Sequence, residues 1–366
     1  MTKISFTSKI LAGPNPPVRP SACPPVRLSA SLPVRLSARP PVHLSTRQEI
    51  LGQINRFSAE SKPFVFAINF PGEKGFVLSP EEAACKGIRY DFGKDKNTVE
   101  NSREKQLDFG FFPVSHEIYE KAYEKVQFHL RRGDTYLLNL TFPSRLKVNL
   151  SLSELFDMSR APFRLYVPDR FVVFSPEAFV RIEGHRISSC PMKGTIDASL
   201  PDAEKRLLSD EKEFFEHNTI VDLIRNDLSM ISTGVKVARF RYLDRIHTNR
   251  GDLLQMSSEI TGVLPWDYRR RLGELLFRLL PAGSVTGAPK EKTVEIIYAA
   301  EICERGFYTG IFGYFDGNSL TTAVSIRFIE ETGEGLFFRS GGGITALSDM
   351  KTEYEEMVAK VYVPVV

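Results

Sequence analysis

The sequence has 366 residues, of which 42% are hydrophobic and 25% charged, and its formal net charge is +3. This length allows one large domain or two ordinary ones with a substantial core. The basic excess lies in the first 48 residues, which contain seven Lys and Arg and no acidic residue, so the rest of the chain is mildly acidic. Without a basic stripe, the composition gives no reason to expect nucleic-acid binding. No run reaches the roughly 18 apolar residues of a membrane span.

The four cysteines lie far apart and form no C-x-x-C pair. They are Cys23, Cys85, Cys190 and Cys303. This spacing disfavours both a zinc cage and a disulfide framework. We therefore expect a cytoplasmic protein, because the cytoplasm is reducing.

Residues 14–46 contain an imperfect eight-residue repeat that is rich in Pro, Ser and Arg: PPVRPSAC, PPVRLSAS, LPVRLSAR and PPVHLST. Proline at this density blocks the hydrogen bonds of helices and of sheet ladders. We predict that residues 1–48 are an extended or disordered tail and that residues 49–366 form a single domain. A transit peptide is also rich in Arg and Ser, but it is amphipathic rather than periodic in proline.

Beyond the tail, strand patterns and helix patterns are mixed along the chain. The predicted strands are FVFAINF, YLLNLTF, FRLYV, RFVVFSP, AFVRI, TTAVSIRF and GLFFRS. The predicted helices are SHEIYEKAYEKVQFHLRRGD, the run 202–229, YRRRLGELLFRLLP, PKEKTVEIIYAAEICE and MKTEYEEMVAKVYV. This mixture predicts the α+β class, with helices covering antiparallel sheets. No Gly-rich loop follows a first strand, so a dinucleotide-binding fold is not indicated.

Two polar clusters lie in the middle of the chain. Glu177 belongs to a Ser-Pro-Glu turn, and Lys193 follows in PMKGT, which reads as a turn bounded by Pro and Gly. In EHNTIVDLIRNDLS, Glu216 shares a helical stripe with Ile220 and Leu223. A carboxylate on that stripe either faces inward or costs stability.

Two further clusters lie nearer the C-terminus. PAGSVTGAPK, which ends at Lys290, is a Gly/Ser/Thr turn running into a helix, whose free N–H groups can hold an anion. It is not a P-loop, because Ala288 and Pro289 separate the last glycine from the lysine. In RSGGGITALSDMKTEYEE, three glycines precede a helix that carries Glu353 and Glu356 on one face.

Each of these clusters has a structural explanation when it is taken alone. Glu353 and Glu356 fit a solvated helix face, the three glycines a hairpin turn, and Arg327 a surface position. Together they indicate a site. Glu216, Glu353 and Glu356 are hard oxygen donors that suit Mg²⁺. Arg327, the glycine amides and the turn at Thr286 suit the carboxylates of a small substrate.

The motifs PMKGT, IVDLIRND, GSVTGAPK, SIRF and GGGITALSD…EYEE occur in that order from about Phe171 to the C-terminus. They resemble the motifs PIxGT, IVDLxRND, GSITGAPK, IRT and GGGIVxxS…EyxE of the chorismate-utilising enzymes. The resemblance implies the fold of that family, a sandwich of two antiparallel β-sheets flanked by helices. It makes residues 49–366 a chorismate-binding catalytic domain.

The residue before Gly-Thr separates activities within the family, and Lys193 resembles the lysine of aminodeoxychorismate synthase component I. The activity implied is conversion of chorismate and ammonia to 4-amino-4-deoxychorismate, for para-aminobenzoate and folate synthesis. A separate glutamine amidotransferase subunit would supply the ammonia.

The resemblance also implies residue roles. Lys193 would attack carbon 2 of chorismate as the 4-hydroxyl leaves, and ammonia would then enter at carbon 4 and expel the lysine. Such a lysine must be neutral, so we expect its pKa to lie below the free value of about 10.4. Glu177 would be the general acid and base, and Glu216, Glu353 and Glu356 would hold Mg²⁺. The implied substrate-binding residues are Thr195, Thr286, Lys290, Tyr308, Arg327, Gly341, Gly342 and Gly343.

Alternatives remain open at this stage. The chain has Gln255 where the family often has a histidine, and IRF in place of IRT. Its short N-terminal portion gives no reason to expect regulation by tryptophan. An anthranilate or isochorismate synthase is the nearest rival, and a subunit that only activates an amidotransferase is another. Lys193 argues against the first pair, and the intact acidic positions argue against the second.

Overall fold

The computed structural model of the protein describes residues 9–10, 40–98, 106–248 and 251–364. The α-helices in these ranges are α1 (Arg47–Ala59), α2 (Pro80–Cys85), α3 (His116–Arg132), α4 (Leu152–Met158), α5 (Ala203–Ser209), α6 (Glu211–Ser229), α7 (Leu272–Leu279), α8 (Lys290–Ala300) and α9 (Met350–Ala359). Short 3₁₀ turns span Tyr268–Arg271 and Gly283–Val285. None of the helices in the described ranges combines the length and the apolar character needed to cross a bilayer.

The strands in the same ranges are β1 (Lys9–Ile10), β2 (Ser45–Thr46), β3 (Phe64–Ile68), β4 (Lys74–Leu78), β5 (Arg89–Asp91), β6 (Phe109–Phe112), β7 (Leu137–Val148), β8 (Phe163–Val167), β9 (Phe171–Ser175), β10 (Ala178–Glu183), β11 (Arg186–Ser189), β12 (Met192–Asp197), β13 (Thr233–Thr248), β14 (Gly251–Val263), β15 (Gly287–Ala288), β16 (Ile311–Phe315), β17 (Leu320–Val324), β18 (Phe328–Thr332) and β19 (Gly335–Ile344).

These strands form two sheets. The first sheet has the order β1-β6-β7-β19-β18-β9-β8-β5, with β15 beside β7. The second sheet has the order β12-β14-β11-β10-β17-β16-β3-β4-β2, with β13 beside β14. The strand pairs are antiparallel except for the two-residue pair of β1 with β6. The predicted α+β class with two antiparallel sheets is confirmed.

Strand β3 shows how the layers are stacked, because every one of its residues is buried. Successive side chains of a strand point to opposite faces. Phe64, Phe66 and Ile68 pack in a core with α1 and α7, whereas Val65 and Ala67 pack between the two sheets, against residues of β8 and β9. Both faces of the second sheet are therefore covered by apolar packing. Burial of one such large side chain contributes about 1.5–3 kcal/mol to stability.

The outer face of the first sheet is covered by helices as well. Leu138, Leu140 and Phe142 alternate along β7 and pack against α3, α8 and α9. Helix α3 begins where the Ser115 side chain accepts a hydrogen bond from the Ile118 amide, and it ends at a left-handed glycine at position 133. These are the usual signals for a helix start and stop. The architecture is therefore helix, sheet, sheet, helix.

Several predicted elements need correction. Met192 to Thr195 of PMKGT lie in strand β12 rather than in a turn, and Gly341–Gly343 lie inside strand β19 rather than in a hairpin turn. The predicted helix 202–229 is two helices, because Asp210 ends α5 and its side chain accepts the Glu213 amide at the start of α6. The long strands β13 and β14 were not predicted.

The predicted tail lies largely outside the described residues, since 1–8 and 11–39 are not among them. Lys9–Ile10 pairs with β6. The boundary predicted at residue 48 falls inside helix α1, which begins at Arg47, and Val42 is already buried at 7% exposure. The packed region therefore begins several residues before the predicted boundary.

Candidate active site

The predicted catalytic lysine lies where α6 and β12 meet strand β19. The Nζ atom of Lys193 donates a hydrogen bond to Oε2 of Glu216 at 3.2 Å. On the other side, a Cβ atom placed on Gly343 would lie 3.9 Å from the same Nζ. The structure thus brings together three residues that are far apart in sequence and that were predicted to share one site.

Strand β12 carries an irregularity directly after the lysine. Its pairing with β14 shifts between Lys193 and Thr195, and Gly194 between them has φ +72°. A Cβ atom at Gly194 would lie 2.9 Å from Leu207 Cδ1 and 3.1 Å from Glu213 Oε2, and the left-handed φ would strain any residue other than glycine. This bulge interrupts the alternation of the strand. Thr195 is exposed and lies opposite Gln255 on β14.

The electrostatic surroundings of Lys193 differ from the expectation. Burial lowers the pKa of Lys193. The carboxylates of Glu216, Glu213 and Glu356 together raise it by more, so the pKa lies above the ordinary value. In this arrangement the carboxylates outweigh burial, which is the opposite of the expected direction for the Lys193 pKa. Glu213 was not predicted as part of the site. Its position one helical turn before Glu216 was the available signal.

Glu177 is the second predicted catalytic group. Its Oε1 accepts a 2.6 Å hydrogen bond from the hydroxyl of Ser284, in the turn before β15. Burial raises the pKa of Glu177, although the Ser284 hydrogen bond and the Lys193 charge act in the opposite direction. A carboxyl group that keeps its proton to higher pH can serve as a general acid. A cavity of about 20 Å³ lies beside it, which is room for one water molecule.

The predicted metal ligands lie on α6 and α9. Glu353 is buried at 3% exposure, whereas the Glu356 side chain is 47% exposed. Lys360, which was not predicted, lies one turn beyond Glu356 with Nζ 2.6 Å from its Oε1, and it also donates to the Gly341 carbonyl at 3.0 Å. Within the described ranges, no three His, Cys, Asp or Glu side chains converge as a metal ion would require.

The chemistry of this donor set nevertheless fits a hard cation. Glu216, Glu353 and Glu356 offer only carboxylate oxygens, which Mg²⁺ prefers. A Cβ atom at Gly342 would lie 3.5 Å from Glu353 Oε2 and 3.7 Å from Lys360 Nζ, so the glycine keeps the space beside that carboxylate open. The charges of two carboxylates are met by Lys193 and Lys360 in this arrangement.

The glycines of β19 form an open strand edge. Gly341, Gly342 and Gly343 pair with Thr141, Leu140 and Asn139 of β7. Among the described strands, β18 pairs with β19 only as far as Arg339. The opposite edge of the glycine segment therefore presents alternate backbone groups away from β7, toward the side chains of the site. One of them, the Gly341 carbonyl, accepts from Lys360.

Thr286 and Tyr308 are buried. Thr286 donates from its hydroxyl to the Ala282 carbonyl at 2.8 Å. Tyr308 is 4% exposed, and burial raises its pKa to about 12. Its phenol stays neutral at physiological pH and can donate a hydrogen bond.

Arg327 and Lys290 are held by protein groups. Arg327 donates to the Lys360 carbonyl at 2.6 Å, and its guanidinium lies 4.5 Å from the ring centre of Tyr362. Lys290 lies 2.9 Å from both carboxylate oxygens of Asp227. For either cation to bind a substrate carboxylate, it would have to share or exchange these partners.

A histidine that the sequence reasoning missed follows Glu216 directly. His217 is fully buried, and its Nε2 lies 2.6 Å from the hydroxyl of Ser258. Burial lowers its pKa to about 4, with the charges of Arg241 and Lys193 acting in the same direction. The ring is therefore neutral near pH 7. Gln255, at the position where the family often has a histidine, is on the neighbouring strand β14.

Residues 58–365 match the family model for chorismate binding enzymes. An uncharacterized PabA-like protein of Pasteurella multocida is 50% identical over 315 residues, which cover 86% of this chain and 97% of that protein. Aminodeoxychorismate synthase component 1 of Escherichia coli is 32% identical over 267 residues, covering 68% of this chain and 57% of that protein.

Solved structures show the same fold at lower identity. A putative 2,3-dihydroxybenzoate-specific isochorismate synthase from Bacillus anthracis has a TM-score of 0.66 and 22% identity, over 87% of this chain and 90% of that one. Anthranilate synthase component I from Streptococcus pneumoniae has a TM-score of 0.64 and 22% identity, over 81% of this chain and 79% of that one. The family model, the relatives and the fold agree, and the chain belongs to the chorismate binding enzymes.

Proposed function

We propose that the protein is the chorismate-aminating component of an aminodeoxychorismate synthase, with Lys193 as its nucleophile. The observation that carries the proposal is the position of the Lys193 ammonium group, between the Glu216 carboxylate and the glycine edge of β19. A lysine that only capped a turn would be solvated. The similarity to aminodeoxychorismate synthase component 1 of Escherichia coli is compatible with this activity, but relatives named anthranilate synthase component 1 are equally similar, so Lys193 carries the distinction.

In the first half of the proposed reaction, the lone pair of Lys193 Nζ forms a bond to carbon 2 of chorismate. The ring double bonds shift, and the bond between carbon 4 and its hydroxyl oxygen breaks. The proton on Glu177 goes to the departing oxygen, which leaves as water. The raised pKa of Glu177 supports this role, because it keeps the acid form available.

In the second half, ammonia forms a bond to carbon 4, the double bonds shift back, and the bond between carbon 2 and Lys193 breaks. The ammonia nitrogen loses a proton, and the lysine regains its amine. The net change replaces a hydroxyl by an amino group and releases water. Glu177, ionised after the first half, is the base available for the proton that the incoming nitrogen loses.

Glu216, Glu353 and Glu356 would hold Mg²⁺, which would supply positive charge for the ring carboxylate of the substrate. When those carboxylates are engaged, they raise the pKa of Lys193 less, so the neutral amine becomes easier to reach. Tyr308, Thr286 and the glycine edge of β19 would hold the remaining substrate oxygens. Arg327, Lys290 and Thr195 stay candidates for the same task.

The proposal includes an ammonia-supplying glutamine amidotransferase partner and a cytoplasmic location. The names of relatives describe them as components of their enzymes, which supports a multi-subunit arrangement. Of the cysteines, Cys85, Cys190 and Cys303 are among the described residues, and they form no disulfide. That observation fits a reducing compartment.

The proposal is tested by incubating the purified protein with chorismate, Mg²⁺ and ammonium, and identifying the product by mass spectrometry. We expect 4-amino-4-deoxychorismate, with the enolpyruvyl group retained. Release of pyruvate with an aromatic 2-amino product would assign an anthranilate synthase, and water addition would assign an isochorismate synthase. If the purified protein by itself does not convert chorismate but activates an amidotransferase, it would be assigned as a non-catalytic subunit.

A further inference from the structure

We infer that Arg305 is a positioning residue that fixes the two segments carrying Thr286 and Tyr308. The inference rests on the proposed function, because it assumes that these two residues bind the substrate. Arg305 lies in the loop between α8 and β16, and its side chain is only 1% exposed. A charged side chain is almost never buried to this extent unless all its donors are satisfied.

The guanidinium group uses all five of its N–H donors. Nη1 donates to the Val285 carbonyl at 2.8 Å and to the Thr309 hydroxyl at 3.3 Å. Nη2 donates to the Asn139 carbonyl and to Glu301 Oε1, the latter at 2.6 Å. Nε donates to Glu301 Oε2 at 2.9 Å. One rigid planar group therefore connects β7, the turn before β15, the end of α8 and the segment before β16.

The groups that Arg305 holds are the immediate neighbours of the two predicted substrate-binding residues. Val285 precedes Thr286, whose carbonyl accepts from the Asn139 amide at 2.9 Å. Thr309 follows Tyr308, and its hydroxyl donates to the Tyr308 carbonyl at 2.7 Å. Arg305 thus holds both segments through direct hydrogen bonds.

Backbone strain at Thr309 points the same way. Thr309 has φ +57°, a left-handed conformation that a β-branched residue rarely adopts. Such a conformation persists only where the surroundings over-determine it, and here the surroundings include the Arg305 hydrogen bond. Without that bond, the segment carrying Tyr308 loses one of the restraints that hold it.

Stability alone is a weak reason for such a residue. A buried ion pair costs so much desolvation that apolar residues of similar volume often serve equally well. The Glu301 side chain is 4% exposed, and its Oε1 also accepts from the amide and hydroxyl of Thr141. The ion pair therefore extends to the strand β7 that pairs with the glycine edge of β19, which is a geometric role that an apolar pair could not fill.

The test is Arg305→Lys. Lysine keeps the positive charge opposite Glu301, but its three donors on a single nitrogen cannot reach Val285, Thr309 and Asn139 together. We expect the KM for chorismate to rise between about tenfold and 10²-fold, the scale of one weakened hydrogen bond to a charged substrate group, with kcat changed much less. Amide exchange should become faster in peptides covering 283–288 and 307–311.

The matched control is Arg164→Lys. Arg164 is also buried, at 8% exposure, and it donates to the Phe156 and Ser159 carbonyls and to the Asp91 carboxylate. It lies on β8 and holds none of the site segments. We expect it to lower the melting temperature as Arg305→Lys does, while KM and exchange in the two peptides stay at wild-type values.

A wild-type KM together with unchanged exchange in Arg305→Lys would overturn the inference, as would an equal rise in KM in the Arg164→Lys control. If Arg305→Lys does not fold, Glu301→Gln replaces it. This variant keeps a hydrogen bond to Thr141 while weakening the hold on Arg305, and the same two readouts apply. If the wild type leaves chorismate unchanged, the proposed function fails, while the exchange experiment still decides whether Arg305 holds the two segments.

Discussion

The Nζ atom of Lys193 lies 3.2 Å from Oε2 of Glu216, so the candidate nucleophile is paired with a candidate metal ligand. The pair is largely buried, with the side chains 29% and 14% exposed. A lysine held in this way is charged, because the surrounding carboxylates raise its pKa. Neutralising it for attack therefore depends on what else those carboxylates bind.

Lys193→Ala should lower the rate of formation of the 4-amino product by at least about 10²-fold, the contribution of one positioned catalytic group. Without the lysine, ammonia has no covalent intermediate to intercept. Addition at carbon 2, which leads to an anthranilate-type product, is the expected residual route because that position is no longer filled. Product analysis by mass spectrometry measures both.

A separate measurement on the wild type checks the same role. Quenching the enzyme during turnover and digesting it should give an adduct on the peptide that contains PMKGT. Lys205→Ala, on the exposed surface of α5, is the control and should keep wild-type rates. Wild-type rates for Lys193→Ala, with no adduct on the peptide, would return Lys193 to a structural role.

Glu177→Gln should cost activity and add stability. Loss of the general acid lowers kcat by about 10²–10⁴-fold. Glutamine keeps an acceptor for Ser284 but carries no charge to bury.

The pH dependence of this stability difference has a defined sign. Because burial raises the folded-state pKa of Glu177, its stabilising contribution is complete below the unfolded-state pKa and is lost as pH rises through the folded-state value. The difference in melting temperature between variant and wild type should therefore be small at the acidic end and grow as pH rises. Thermal melts at pH values from below the unfolded-state pKa to above the folded-state pKa measure this difference. A melting-temperature difference that shrank with rising pH would show that Glu177 is not desolvated.

The sequence predicted well those parts of the fold in which local pattern and burial agree. FRLYV is strand β8 residue for residue, and the helix predicted in the run from Ser115 to Asp134, with a glycine stop, is α3 (His116–Arg132), which starts after Ser115 and stops at Gly133. Strand β13 was not predicted because its pairing with β14 shifts at three places. These shifts break the two-residue alternation of apolar and polar residues on which a strand prediction depends. Gly341–Gly343 were misread because glycine is rare inside strands.

The site shows the same division. Lys193, Glu216 and the glycines could be named from their motifs, and the structure brings them together. Lys360 and Arg305 were missed because their importance lies in long-range hydrogen bonds to backbone carbonyls, which leave no local sequence pattern. A pKa set by carboxylates from two different helices, like that of Lys193, is likewise invisible before those helices are placed.

Two truncations should separate the repeat region from the packed domain. Removing residues 1–39 deletes the two-residue pairing of β1 with β6, an edge contact of the first sheet, and should change the melting temperature and ammonia-dependent turnover little. Removing residues 1–46 should lower the melting temperature, because it deletes the buried Val42 and also Thr46, whose backbone amide and hydroxyl both donate to Glu49 at the start of α1. Loss of such a cap costs about 1 kcal/mol.

Thermal melts and a turnover assay on both truncations provide the measurement. Thr46→Ala in the full-length chain is the control for the cap alone. The prediction is wrong if the shorter deletion destabilises the protein as much as the longer one.

Chelation should abolish activity, and Mg²⁺ should restore it, if Glu216, Glu353 and Glu356 bind the ion. A ligand that binds only the folded state stabilises the protein, and above its Kd the stabilisation grows with the logarithm of the free ligand concentration. We therefore expect Mg²⁺ to stabilise the wild type in thermal melts without any substrate. Glu356→Gln should require a higher Mg²⁺ concentration for both effects, because one carboxylate ligand becomes a neutral amide.

The neighbouring residue supplies the matched control for this experiment. Glu355 is exposed on α9 and lies 3.9 Å from Lys351, so Glu355→Gln removes the same charge from the same helix without changing the predicted ligand set. It should keep the wild-type Mg²⁺ dependence in both thermal melts and turnover. Full activity after thorough chelation would show that the reaction needs no metal ion. An equal shift in both glutamine variants would show that α9 contributes charge to the site but does not bind the ion.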